Sequence, residues 1–342
     1  MNDSINNDIF DTYRGFQYQP DNKKGHYESY YLRANHPSDP QAFWIRYTIF
    51  SPKGAPEKAI GELWCIFFDT EKNEVVAAKS EIDIALCRFS STNLEANIEQ
   101  SYLKEDGQGG ILKGNASSSG NVLSWDLRYE SNGEKALTLL PMSAYGAPIP
   151  KAKGLIGCPH VTFNGKIVVN GTLINIDDWR GSENHNWGSK HTDKYYWGQV
   201  AGFDNDENAF LECITSKLKV GPIWLPEITL AVLRVGGEDY GFNGLKTLVK
   251  SKANCKDFDW TFKVARPGAI LTGSFQGDPN HFVGLTYYNP PQGSNTCLNS
   301  KVAKCELVLE RKGKPTITLN TSKRAAFEIL TKNTNHGIPV VA

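Results

Sequence analysis

The sequence predicts an all-β protein built as two domains in tandem. Three observations point there. Aromatic residues make up 11% of the chain, glycines number 31 and methionines only 2, a balance that favours strands and tight turns. Extended aromatic and β-branched runs recur at short intervals with Gly, Asn, Asp or Pro between most of them, the spacing of sandwiches and barrels. No long segment carries the 3.6-residue apolar period of an amphipathic helix. At 342 residues the chain exceeds one ordinary core of roughly 100–200 residues.

Residues 1–20 read as a polar N-terminal arm, 21–189 as a first β-domain and 190–342 as a second, divided just after Gly188. The first strands fall at 26–32 and 42–50, separated by the turn-forming Asn35-His36-Pro37-Ser38-Asp39-Pro40. Another follows at 60–68. In 121–129, Val122, Ser124 and Asp126 alternate with Leu123, Trp125 and Leu127, a period of two that buries one face and wets the other. Further strands are expected at 161–163, 166–176, 195–203, 209–215, 227–235, 258–264, 281–288, 304–309 and 324–330. Short helices fit 90–102 and 243–252. Residues 106–120, with Gly107, Gly109, Gly110, Gly114 and Gly120, read as a surface loop. Lys113 within it lacks the Gly-Lys-Ser/Thr signature of a phosphate loop.

Charge excludes several functions. Lys+Arg and Asp+Glu both total 37, so there is no electrostatic footprint for nucleic acid or an anionic membrane. No run approaches the roughly 20 apolar residues of a membrane helix, so stable membrane insertion is not expected. The start, Met1-Asn2-Asp3-Ser4-Ile5, lacks the pattern of a signal peptide, and a cytoplasmic location is expected. The sequons at Asn115, Asn170 and Asn320 are then chance matches. Of the seven cysteines, Cys65, Cys87, Cys158 and Cys213 sit in or beside apolar runs as reduced core thiols. A disulfide among Cys255, Cys297 and Cys305 is open, but the odd count favours free thiols.

The densest polar run is Asp177-Asp178-Trp179-Arg180-Gly181-Ser182-Glu183-Asn184-His185-Asn186-Trp187-Gly188. In an extended chain His185 and Trp187 point to one side. A histidine beside an indole and several carboxylates suits proton handling, and a barrel corner would use the same residue types. Downstream, Tyr195, Trp197 and Gln199 share one face of a strand. Glu212 is the one charged residue of Ala209-Phe210-Leu211-Glu212-Cys213-Ile214 and shares a face with Phe210 and Ile214. Such a carboxylate either finds a partner, faces solvent, or has its pKa raised toward that of a general acid. The two strands form a hairpin across 204–208, which puts Glu212 near Gln199 or Val200. Tyr287, in the aromatic strand before Asn289-Pro290, is a candidate for a pocket mouth. HExxH, GxSxG and GxGxxG are absent, and His185 and His191 are not spaced as a helical metal pair.

The run Gly181–His191, continuing into Tyr196-Trp197-Gly198-Gln199-Val200-Ala201-Gly202-Phe203 and the later Ala209-Phe210-Leu211-Glu212, resembles the carotenoid 1,2-hydratase (hydroxyneurosporene synthase) group of lipocalin-like calycins. Relatives of that group include kievitone hydratase, AttH-like and tocopherol-cyclase-like proteins and fungal decalin-forming Diels–Alderases. The resemblance implies two lipocalin-like β-barrel or β-sandwich domains with a deep apolar pocket in or between them. It also implies proton transfer by a His-x-Trp motif and a later Tyr-x-acid pair. His185 and Trp187 match the first. Phe210 stands where Tyr is expected and Glu212 where Asp is usual.

Glu212 and His185 are therefore the candidate catalytic residues, with Trp187, Trp197, Tyr195, Gln199, Phe210 and Tyr287 as candidate substrate-binding residues. Three functions compete. A hydratase or cyclase would protonate a prenyl, terpenoid or polyene alkene without metal or organic cofactor. A pericyclic cyclase would only hold a polyene in its reactive fold. A carrier would bind an apolar small molecule without turnover.

Overall fold

The computed structural model describes residues 10–342 apart from 218, 221–222, 225, 245–246 and 248–250. Half of the helix expected near 243–252 and the first nine residues of the arm therefore lie outside the described residues.

A first antiparallel sheet takes β1 (His26–Asn35), β2 (Gln41–Ser51), β3 (Ile60–Asp69), β4 (Glu74–Asp83), β5 (Cys87–Phe89), β6 (Glu95–Ile98), β7 (Ser101–Glu105), β8 (Gly109–Ser118), β9 (Asn121–Ser131), β10 (Ala152–Val169) and β11 (Thr172–Gly188). Its order is β4-β3-β2-β1-β11-β10-β9-β8-β7-β6-β5. The sheet curls into a nearly closed barrel, and β4 meets the β8–β9 end where Lys79 N–H donates to Ser118 Oγ at 2.9 Å and Asn121 Nδ2 to the Ala77 carbonyl at 3.2 Å.

The second half supplies β12 (Lys194–Phe203), β13 (Asp206–Lys217), the short pair β14 (Lys219–Val220) and β15 (Ile223–Trp224), then β16 (Ile228–Val235) and β17 (Glu238–Phe242). It continues with β18 (Lys252–Lys256), β19 (Asp259–Arg266), β20 (Ala269–Gln276), β21 (Val283–Tyr288), β22 (Ser294–Arg311) and β23 (Lys314–Thr331). The order of this second sheet is β17-β16-β13-β12-β23-β22-β20-β19-β18, with β21 on β22 and β14–β15 apart. The protein is all-β, as the strand spacing predicts, and its two sheets form the lipocalin-like barrels that the resemblance implies.

Two stretches depart from the sequence reading. Residues 109–118 are a strand, not a loop, because their glycines serve packing. A methyl at Gly110 would stand 2.6 Å from Tyr129 Oη, and one at Gly114 2.5 Å from the Trp125 indole. Tyr129 and Trp125 on β9 fill the barrel by lying against bare backbone. Residues 90–102, expected as helix, instead lead into β6 and β7, with Ala96, Ile98, Ser101 and Leu103 turned inward in alternation.

The strands of the seam bury both faces. On β2, Phe43, Ile45, Tyr47 and Ile49 enter the first barrel's core, while Ala42 and Trp44 pack toward the second sheet beside Trp64, Leu285 and Tyr287. Burial on two faces explains why residues 42–50 read as a continuous apolar run rather than an alternation. The second barrel has its own core around Trp260, Phe275, Phe327 and Leu233. All seven cysteines are free.

Candidate active site

The hairpin of β12 and β13 builds the centre of the site. Gln199 lies opposite Glu212 and Trp197 opposite Ile214. Residues opposite one another in an antiparallel pair share a face, so this set points together toward the first sheet. Trp197 Nε1 donates to Glu212 Oε1 at 2.8 Å, and Oε2 is buried without a hydrogen-bond partner. Burial pushes the Glu212 carboxyl up to about 7. The Trp197 hydrogen bond opposes that rise and the nearby Glu328 adds to it.

Glu212 opens onto a cavity of about 170 Å³ in the seam between the sheets. Tyr27, Tyr31, Trp44, Arg46 and Asn186 wall it from the first sheet, and Tyr195, Trp197, Ile214, Leu230, Tyr287 and Glu328 from the second. The half-buried Leu140, Pro150, Ala152, Lys153 and Gly154 lie at its edge. Glu328 is held by buried groups. Lys301 Nζ and Asn299 Nδ2 each donate to its Oε1 at 2.9 Å, and Tyr195 Oη to its Oε2 at 3.3 Å. Burial pulls the Lys301 ammonium down, against the pull of Glu328. His191 stacks on Tyr27 at 3.7 Å between centroids; burial and then the Arg46 charge lower its pKa to about 3, which keeps it neutral. Burial, then Glu212 and Glu328, push the Tyr31 phenol well above its ordinary value.

Of the residues singled out in the sequence, the cavity unites Glu212, Trp197, Tyr195 and Tyr287. It does not include His185, Trp187, Gln199 or Phe210. The alternation of β11 explains the separation. Ser182, Asn184 and Asn186 point to the second sheet, whereas Glu183, His185 and Trp187 point to the N-terminal arm. His185 Nδ1 lies 2.9 Å from the Tyr13 carbonyl, to which it can only donate, Nε2 lies 2.7 Å from Glu28 Oε1, and its ring stacks on Tyr30 at 4.2 Å. Trp187 stacks on Tyr13 at 4.8 Å. Gln199 ties the sheets together: its Oε1 accepts from Arg33 Nε at 3.0 Å and Ser182 Oγ at 2.8 Å, and its Nε2 donates to Asn184 Oδ1 at 2.8 Å. Phe210 packs with Leu137, Leu139, Ile156 and Leu230.

The sequence reading missed Glu328, Lys301, Arg46 and Asn186. Two of them carried the signal that singled out Glu212. Glu328 is the one charge in Ala325-Ala326-Phe327-Glu328-Ile329-Leu330, and Arg46 the one charge in Ala42–Phe50. The arrangement offers an acid with one free oxygen, aromatic faces, and a second carboxyl with its own ammonium. Among the described residues no group of three or more His, Cys, Asp or Glu is placed to hold a metal ion, and no helix is long and apolar enough to cross a membrane.

No protein-family model matches the sequence. The uncharacterized protein Rv0493c of Mycobacterium tuberculosis is 23% identical over 189 residues, which is 55% of this chain. The match spans 56% of that protein's length, so it relates about half of each. Solved structures cover more. An AttH-type protein of Nitrosomonas europaea superposes with a TM-score of 0.51 at 13% identity over 93% of this chain and 97% of its own. Kievitone hydratase of Nectria haematococca gives 0.51 at 12% identity over 90% and 89%. CghA, solved with Sch210972, gives 0.55 at 10% identity over 94% and 97%. At these identities the likeness is one of fold, and the fold of this chain is the double lipocalin-like barrel of AttH-type proteins, kievitone hydratase and CghA.

Proposed function

We propose that this protein is a hydratase or cyclase that protonates an alkene of an apolar prenyl, terpenoid or polyene substrate, with Glu212 as the donor. The observation that carries this reading is the Glu212 carboxyl: buried, fixed at Oε1 by Trp197, free at Oε2, open to an aromatic cavity, and protonated up to about pH 7. A general acid is most effective with a pKa near the working pH. Proteins of this fold include a hydratase and the Diels–Alderase CghA.

The proton passes from Oε2 to one alkene carbon and leaves a cation on the other. The faces of Trp197, Trp44 and the surrounding tyrosines stabilise that cation, by about 2 kcal/mol for a desolvated contact. Water then adds and gives up a proton, or an internal alkene or nucleophile closes a ring and the proton returns to Glu212. Glu328 supplies a second carboxyl on the same cavity for the proton that the added water loses. His185 has a positioning role, since it fixes the strand that presents Asn186 to the cavity. None of these steps calls for a metal or organic cofactor. The cavity exceeds the roughly 150 Å³ that accepts benzene only slightly, so it takes one ring or a short unsaturated end while the rest of a longer substrate lies outside.

The aromatic walls favour a second reading, a pericyclic cyclase that folds a polyene and needs no acid. One experiment separates the readings. The protein is incubated with geraniol and with geranic acid, an alcohol and an acid of one prenyl skeleton, in deuterated water, and the products are analysed by mass spectrometry. The acid mechanism gives a hydrated or isomeric product carrying solvent deuterium, lost in E212Q while ligand binding persists. Undiminished turnover by E212Q overturns Glu212 as donor and favours the pericyclic reading. Binding without product in the native protein favours a carrier.

A further inference from the structure

Arg46 lines the same cavity and is 3% exposed. Its Nε donates to Ser29 Oγ at 2.8 Å, the one hydrogen bond of this guanidinium among the described residues. No described carboxylate lies within 4.0 Å of it. It is instead boxed by rings, with centroids at 4.6 Å for Tyr287 and 5.9 Å for both Trp44 and Trp64. The two acids that act on it from a distance, Glu62 and Glu328, are engaged elsewhere. Glu62 takes Lys79 Nζ at 2.8 Å, which the exposed Glu81 shares at 2.6 Å, and Glu328 takes Lys301. Lys153 Nζ, at the cavity edge, is occupied by the Tyr145 and Ala147 carbonyls.

Burial works against the Arg46 charge, and Tyr287, Glu62 and Glu328 outweigh it and hold the pKa above its ordinary value, so the group stays charged while no acid pairs with its fork. Its planar fork of donors matches carboxylate and phosphate geometry, and a single guanidinium in a cavity of about 170 Å³ suits the smaller, singly charged carboxylate. The Arg46 charge also conflicts with the chemistry proposed for the site, because a carbocation formed in the same small cavity is repelled by a cation that no carboxylate pairs directly. A substrate that brings its own oxyanion removes both problems.

We propose that Arg46 is the anchor for an oxyanion on the substrate, so that the molecule turned over at Glu212 is an unsaturated apolar acid rather than a hydrocarbon or alcohol. This rests on the hydratase or cyclase reading only for what happens next to Glu212; recognition by Arg46 stands separately. The oxyanion seats at the Arg46 fork among Tyr287, Trp44 and Trp64, and the apolar part lies along Trp197 toward Glu212.

The test is calorimetric titration of the whole protein, slightly below neutral pH, with trans-cinnamate and with cinnamyl alcohol. These probes have the same ring and alkene and differ in the anionic group. Cinnamate is expected to bind about tenfold tighter or more. In R46M the two should bind within about threefold of each other, with alcohol binding kept. R46K, which keeps the charge and loses the fork, should lie between. Should R46M fail to fold by circular dichroism, the native ratio and R46K decide. E212Q is expected to keep the preference for cinnamate, so loss of its turnover and loss of anion recognition are separate results. Equal or tighter binding of the alcohol, binding of neither probe, or a cinnamate preference that survives in R46M overturns the proposal.

Discussion

Trp197 and Glu212 form a buried donor–acceptor pair, Nε1 to Oε1 at 2.8 Å, that leaves the other carboxyl oxygen bare toward the cavity. The pair sets both the position of a proton and the pH at which it is held. It also makes the site a cost to the fold.

That cost gives the first prediction. Glu212 ionises near 4.5 when unperturbed and near 7 in the folded protein. Between those values the folded state binds more protons than the unfolded state, so stability falls as pH rises through the window, and the penalty is complete above about 7. The interval corresponds to roughly 3 kcal/mol, at about 1.4 kcal/mol per pH unit. E212Q should therefore be more stable than the native protein above that window, by up to this amount, and the difference should vanish below pH 4.5. Denaturant unfolding at several pH values measures it. An equal gap at all pH values would contradict the buried, uncompensated carboxyl.

The indole supplies the second. Its hydrogen bond favours the ionised form of Glu212 and so holds the pKa lower than burial alone would place it. W197F removes the donor and keeps a ring. The pKa of Glu212 should move further up by about one unit or more, since a hydrogen bond to a charged group is worth about 1.5–3 kcal/mol. The alkaline limb of the turnover profile should follow it upward. The carboxyl band in infrared difference spectra reads the same shift without turnover.

A third prediction concerns Lys301 and Glu328. Both are buried, and the ammonium contacts Glu328 Oε1 at 2.9 Å and Asn299 Oδ1 at 2.6 Å. K301M leaves the carboxylate buried without its cation, which should cost about 3–5 kcal/mol of unfolding free energy. Replacing both, as K301M/E328Q, should recover most of it. Chemical denaturation of the two variants tests the coupling, and a double variant no better than the single one would refute it.

How much of this was legible in the sequence depends on how many faces each strand buries. Residues 121–129 bury one face, and their alternation placed them correctly. The hairpin of β12 and β13 was legible too, with Glu212 placed near Gln199 or Val200; the choice between them, Gln199 in the structure, was not, because one residue of slip reverses the face. Ser182 to Gly188 bury nearly every residue, so no alternation in residue type says which side faces the second sheet. The His-x-Trp pair was therefore readable as a pair but not as to its direction. Gly110 and Gly114 looked like loop because the rings that need them, Tyr129 and Trp125, come later in the chain. Glu328 and Arg46 were visible by the rule applied to Glu212, a lone charge in an apolar run. What the sequence could not say is that β2, β13 and β23 meet at one cavity, a matter of long-range topology.

The last prediction takes up His185. Its ring bridges the Tyr13 carbonyl and Glu28, and Glu28 also accepts from the Gln17 N–H at 2.7 Å and contacts His26 Nε2 at 2.8 Å. Burial alone would raise the Glu28 carboxyl; hydrogen bonds from His185 first, then His26, outweigh it and hold the pKa below the ordinary value. A depressed carboxylate contributes stability that is present above its unfolded pKa and lost as pH falls through the folded one. H185N should remove the larger of the two hydrogen bonds, raise the Glu28 pKa and move acid unfolding to higher pH. It should also release the segment around Tyr13 and Arg14, whose Nη1 pairs with Glu183 and whose Nε contacts Glu105 at 2.9 Å. Limited proteolysis should then cut near residues 10–17 faster in H185N than in the native protein. A residue that passes protons in the cavity would behave differently: H185N would change the pH profile of turnover and leave acid stability and cleavage unchanged. The two measurements together decide between anchoring the arm and moving a proton.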